Sequence, residues 1–167
     1  NMIGKYKFNY SKNTFGYNFR MGEIEAAIGI EQLKKLPKIL KSVQENAKLL
    51  SNGLRKLKGL QVPIIDKNCT HAFYNFPLVL DLQKVKKTRT LIVKALRSEG
   101  VPLGEGYLNI HNLPYFKSKK IISNNSIAEA LHNQTYFSFG ICAYKLGKND
   151  INLVIKSFKK VWNCLIE

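Results

Sequence analysis

Gly16-Tyr17-Asn18-Phe19-Arg20-Met21-Gly22-Glu23-Ile24-Glu25-Ala26-Ala27-Ile28-Gly29, running on through Gln32-Leu33-Lys34-Lys35-Leu36, is the stretch on which the reading of this 167-residue sequence turns. From Gly22 its pattern becomes helical, because Ile24, Ala27, Ile28, Leu33 and Leu36 recur at the spacing of an apolar stripe with a 3.6-residue period. Gly22 can cap the helix start, and Glu23 and Glu25 place carboxylates in the first turn, at the positive end of the helix dipole. Pro37 lacks a backbone donor and crowds the preceding turn, so the helix is expected to stop or kink there. It should resume through Ile39, Leu40, Val43, Ala47, Leu50 and Leu54, filling Gly22 to Leu57 with two consecutive helices or one sharply bent one.

Outward from this segment the periods alternate. Gly59 opens a short strand at Leu60–Ile65, and an aromatic-rich strand is predicted from His71 to Leu80, with Pro77 placing it at a sheet edge or ending it early. A helix over Lys86–Glu99 puts Leu91, Ile92, Ala95 and Leu96 on one face and ends at Gly100, which suits a left-handed cap. A strand at Val101–Leu103 follows. Residues 104–124 show no period and many Gly, Asn and Pro residues, which predicts a long loop of the kind that carries contacts to ligands. Ser126 and Glu129 have the form of a capping box, Tyr136–Phe139 reads as a strand, and Ile151, Val154, Ile155, Phe158, Val161, Trp162 and Leu165 form one face of a final amphipathic helix. Strands mixed with helices, without parallel βαβ units or a repeat, indicate an α+β layer in which helices cover one side of a small sheet.

With 45% hydrophobic residues, nine Phe and eight Tyr, the chain can bury a sizeable core. No apolar run is long enough to cross a bilayer and the first residues lack the apolar stretch of a secretion signal, so a cytoplasmic protein without membrane contact is expected. Cys69, Cys142 and Cys164 are scattered and show no paired metal-ligand spacing, which predicts neither a metal site nor a disulfide framework. The formal charge of +16 raises nucleic acid as a partner, but it comes from 23 Lys and only four Arg spread along the chain. Base-edge and bidentate phosphate recognition leans on Arg, so no nucleic-acid partner is expected.

The Gly16–Gly29 stretch with Gln32–Leu36 resembles the signature of the DegT/DnrJ/StrS aminotransferases. Later pieces agree in order: the aromatic strand around Tyr74, Glu99-Gly100-Val101-Pro102, Gly106-Tyr107 followed by Leu113-Pro114-Tyr115-Phe116, and the last helix. After Phe139 the sequence departs from the commoner pattern, with Gly140-Ile141-Cys142-Ala143 where relatives carry a proline. The resemblance implies the small C-terminal α+β domain of a fold-type I transferase, a mostly antiparallel sheet preceded by a long interdomain helix. Residues 1–21 would then be a remnant of the large domain's active-site loop, 22–57 the linking helices and 58–167 the small domain.

Members of that family use pyridoxal 5'-phosphate (PLP) to move an amino group from glutamate or glutamine onto a keto sugar, usually nucleotide-linked, and act as homodimers. By resemblance, Asn18 would reach the cofactor phosphate of the partner subunit, and Arg20, Tyr107 and His111 would face the substrate. Each position also admits a plainer reading: Asn18 as a turn residue, Arg20 packed at a domain joint, Tyr107 anchoring its loop, His111 on the surface. The family's Schiff-base lysine lies upstream of the Gly-Tyr-Asn motif, so no catalytic residue is assigned here and these 167 residues alone are expected not to transaminate. The alternative is a non-catalytic dimerisation or ligand-binding module derived from that family.

Overall fold

A computed structural model describes residues 20–106, 109–118 and 126–166, with backbone alone at 111, 117, 118 and 126. Contacts divide the chain between Leu36 and Pro37 into two compact units. In the first, Arg20 and Met21 lead into helix α1 (Glu23–Leu54), whose first turn carries Glu23 and Glu25. Ile24, Ile28, Leu33 and Leu36, the apolar stripe of the sequence, are exposed there.

Of the two outcomes expected at Pro37, two helices or a single bent one, the structure has a single element: α1 runs on through Leu54. The missing donor costs one hydrogen bond, and the following turns bury Ala47, Leu50 and Leu54 completely, which outweighs it.

In the second unit, four antiparallel strands lie in the order β1-β2-β4-β3, where β1 is Leu60–Gln61, β2 Phe76–Leu80, β3 Leu103–Gly104 and β4 Tyr136–Phe139. β2 pairs with β1 through Val79 and Leu80 and with β4 along Phe76 to Val79. Pro77 therefore sits in an inner strand rather than an edge strand. The reason is local: β1 reaches only Val79 and Leu80, so beside Pro77 β2 has β4 as its one strand neighbour and no ladder bond is forfeited. The strand is also shorter than predicted. Phe73 adopts φ 51°, a left-handed conformation that breaks the extended run expected over residues 71–75.

Helix α2 (Arg89–Ser98) starts three residues later than the pattern suggested, because Thr88 accepts the Leu91 N–H at 3.3 Å as its cap. It ends in a Schellman arrangement: Val101 N–H donates to Leu96 O at 3.0 Å, Gly100 N–H donates to Arg97 O at 3.0 Å, and Gly100 takes φ 85°. Short helices α3 (Pro114–Ser118) and α4 (Ser126–Ala130) follow, and α4 runs into a π-helical turn, Leu131–Thr135, that delivers the chain to β4. Helix α5 (Lys148–Leu165) buries Ile151, Val154, Ile155, Phe158, Val161 and Trp162, the face its period announced. Trp162 Nε1 donates to Lys58 O at 2.9 Å, which satisfies the one polar atom of the largest buried side chain. Gly53 lies where α1 packs on α5: a Cβ there would lie 2.5–2.9 Å from three carbons of Ile155.

Candidate functional site

The loop singled out in the sequence leaves the sheet at β3, and three devices hold its entrance. The first is Arg97, whose Nε and guanidinium donate to Leu103 O at 3.0 and 2.7 Å and so clamp the first residue of β3 to the end of α2. The second is Glu105, bridged by Arg89 at 3.3 Å on one carboxylate oxygen and by Arg97 at 3.2 Å on the other. Arg89 is held in turn from behind, because its guanidinium donates to the carbonyls of His132 and, at 3.2 Å, Tyr136. With 12% of its side chain exposed, it makes the less screened of the two ion pairs. The third device is Gly106, at φ 94°, where a Cβ would meet the Tyr136 ring at 2.7 Å. Only glycine fits there, and it turns the backbone into the loop.

Beyond Gly106 the chain forms a 3-10 turn, Ile110–Asn112, and then α3. His111 belongs to that turn, and its side chain lies outside the description. Tyr107 and Asn18 lie outside the described residues altogether. Arg20 is described and exposed, in the first unit. The structure therefore places one predicted side chain, Arg20, and the backbone of a second, His111, and brings no pair of the four into demonstrated contact.

Beside the loop entrance lies a cleft of about 370 Å³ lined in part by Asn75, Gly104, Gly106 and Ser138. Asn75 Nδ2 donates to Tyr136 Oη at 3.3 Å, and its Oδ1 accepts the Phe76 N–H at 3.1 Å, so the amide is fixed in orientation. Ser138, 4% exposed, and Asn75 put a hydroxyl and an amide, both able to donate and accept, at the mouth of a small cleft, which suits a polyhydroxylated ligand. Asn109, which precedes the 3-10 turn and does not line this cleft, has a buried Nδ2 without a hydrogen-bond partner. Sequence reasoning missed Asn75, Ser138, Arg89, Arg97 and Glu105. Asn75 and Ser138 are ordinary residues inside predicted strands by pattern, and Glu105 acquires its partners from residues 16 and 8 positions upstream.

Among the described residues no group of three His, Cys, Asp or Glu side chains is placed to hold a metal, and no helix is long and apolar enough to cross a membrane. Every lysine whose side chain is described is exposed.

Comparison with known proteins gives a single picture. The DegT/DnrJ/EryC1/StrS aminotransferase family model matches residues 2–159. The UDP-4-amino-4,6-dideoxy-N-acetyl-β-L-altrosamine transaminase of Helicobacter pylori is 30% identical over 104 residues, 60% of this chain and 26% of that protein. Among solved structures, an aminotransferase from Psychrobacter cryohalolentis superposes with TM-score 0.77 at 20% identity, covering 96% of this chain and 44% of the other. A protein of Streptococcus pneumoniae solved in its PLP form does so with TM-score 0.72 at 17% identity, covering 96% and 41%. At these identities the structural likenesses establish the fold. The chain spans 26–31% of the length of the curated relatives it matches.

Proposed function

Because the chain belongs to the DegT/DnrJ/EryC1/StrS aminotransferase family, we propose that it provides the substrate-facing small domain of a PLP-dependent aminotransferase acting on a keto sugar. The observation that carries this reading is the clamped loop entrance at Glu105 and Gly106, opening beside a cleft that presents Asn75 and Ser138. On this reading residues 1–21 belong to an active-site loop, 22–57 link two domains and 58–167 form the small domain. Asn18 donates its amide to the cofactor phosphate of a second subunit in a homodimer, and Arg20, Tyr107 and His111 contact the sugar or its nucleotide. Glutamate or glutamine is the amino donor and the setting is cytoplasmic.

PLP, when bound, supplies the electron sink for amino transfer. We assign no step through the cofactor to this chain. What its own residues do is bind and orient: the two arginines fix Glu105, Gly106 turns the loop, and the Asn75 amide stands ready to select hydroxyl geometry.

The test is calorimetric titration of the chain with UDP- and dTDP-linked sugars. Saturable binding that Asn75→Ala and His111→Ala each weaken supports the reading, and binding that survives both substitutions overturns the assignment of this face. Borohydride reduction in the presence of PLP, followed by intact-mass measurement, is expected to leave no stoichiometric adduct on the chain. An adduct on one lysine would place the anchoring residue here after all.

A further inference from the structure

A second concavity shares no lining residue with that loop. Gln44, Lys48 and Ser51 of α1 and Arg55, in the turn just past its end, follow at intervals of four, three and four, which keeps all four on one side. Opposite them runs the irregular segment 63–73, and between the two walls lies a groove of about 380 Å³. Gln44 Nε2 donates to His71 O at 3.0 Å and ties the walls together at one end.

The groove is lined by donors. Lys48 supplies an ammonium and Arg55 a guanidinium, Ser51 and Thr70 supply hydroxyls, and no carboxylate lines it. Neither Lys48 nor Arg55 forms an ion pair with a described residue. The His71 ring is fixed as well: its Nδ1 accepts the Phe73 N–H at 2.8 Å, and the ring packs on Phe73 at 4.4 Å between centroids. With Nδ1 accepting, the neutral ring carries its proton on Nε2 and adds one more donor. Phe73 itself, 5% exposed, is held at φ 51°, the one left-handed non-glycine residue described.

We infer that this groove binds a phosphate monoester. A dianion answers two cations and several neutral donors, Arg55 can grip it through two parallel N–H bonds, and the volume suits a small phosphorylated molecule. Pro63 and Ile65 give the organic part an apolar wall. A nucleic acid would need cations in a long track, whereas these two, one on the last turns of α1 and one in the turn after it, sit seven residues apart over a bounded concavity.

The experiment is an amide NMR titration of the chain with glycerol 3-phosphate at constant ionic strength, with inorganic phosphate, glycerol and a DNA duplex as further arms. Saturable shifts confined to residues 44–55 and 63–73 are expected, with none from glycerol. Lys48→Ala/Arg55→Ala should weaken binding about tenfold or more, while Lys148→Ala/Lys156→Ala, which removes the same charge elsewhere, changes it less than about twofold. Equal affinity for inorganic phosphate assigns the groove to the free ion and tighter binding of the ester to a phosphorylated metabolite; both keep the site. Shifts scattered over surface lysines, equal losses in the two double variants, or displacement of the ester by DNA at matched phosphate concentration overturn it.

Discussion

Gly53→Ala is expected to destabilise the second unit, although alanine is the better helix former. In an open helix the exchange gains about 1 kcal/mol, because glycine loses more backbone freedom on folding. Here the new methyl would sit 2.5, 2.7 and 2.9 Å from Cδ1, Cγ1 and Cγ2 of Ile155. Carbon atoms pack at about 3.5–4.0 Å, so α1 and α5 must separate locally by about 1 Å or Ile155 must leave its rotamer. Rotating the Ile155 tip cannot relieve the clash, since both branches from its Cβ are in the way. Overpacking of this kind costs about 1–3 kcal/mol, leaving a net loss of up to about 2 kcal/mol, or a fall in Tm of up to about 4–8 °C for a chain of this size.

Urea denaturation followed by far-UV circular dichroism measures the difference, and a double-mutant cycle with Ile155→Ala isolates its cause. Ile155→Ala alone should cost about 2–5 kcal/mol, and in that background Gly53→Ala should become neutral or stabilising. A stabilising Gly53→Ala in the parent chain, or the same loss in both backgrounds, would refute the helix-contact argument.

Two further outcomes are expected. Glu105→Gln removes the carboxylate that joins Arg89 to Arg97; with a third of the Glu105 side chain exposed, the loss should be about 1 kcal/mol, read as roughly fivefold faster amide hydrogen exchange confined to residues 103–106, and unchanged exchange there would show that the clamp does not hold the loop entrance. Asp81 has its pKa held below the ordinary value of 3.8, first by the hydrogen bond from Lys84 and then by the Gln83 N–H. Its contribution is thus present above that value and lost as pH falls through the lower folded pKa, so Asp81→Asn should lower Tm at neutral pH and flatten its fall below about pH 4, and parallel acid limbs for the two proteins would count against the pairing.

Period and punctuation carried the regular elements. The α5 face, the extent of β4 and the Gly100 cap follow from local spacing, and the structure reproduces them. Where tertiary partners decide, the reading slipped. At Pro37 the spacing left open whether the helix stops or runs on, and the buried turns after it decide for a single element; Pro77 looked like an edge residue because the shortness of β1 is invisible from β2. Residues 71–75 have strand composition, but the left-handed Phe73 ends the strand before it starts. The loop was legible as a site from its composition, whereas its supports were not. Glu105 is an unremarkable acid until folding sets two arginines of α2 around it, and Asn75 was hidden inside a supposed strand.

The π-helical turn Leu131–Thr135 also bears on how this sequence tolerates insertion and deletion. A π turn holds one residue more than the α turn it replaces. Deleting one residue there would let α4 close as ordinary α-helix and still hand the chain to Tyr136 in the same phase. The same deletion inside β4 would exchange the faces of Phe137, Ser138 and Phe139, and with them the cleft beside Gly106. The turn works as slack in the chain, where a length change is absorbed before it reaches the sheet.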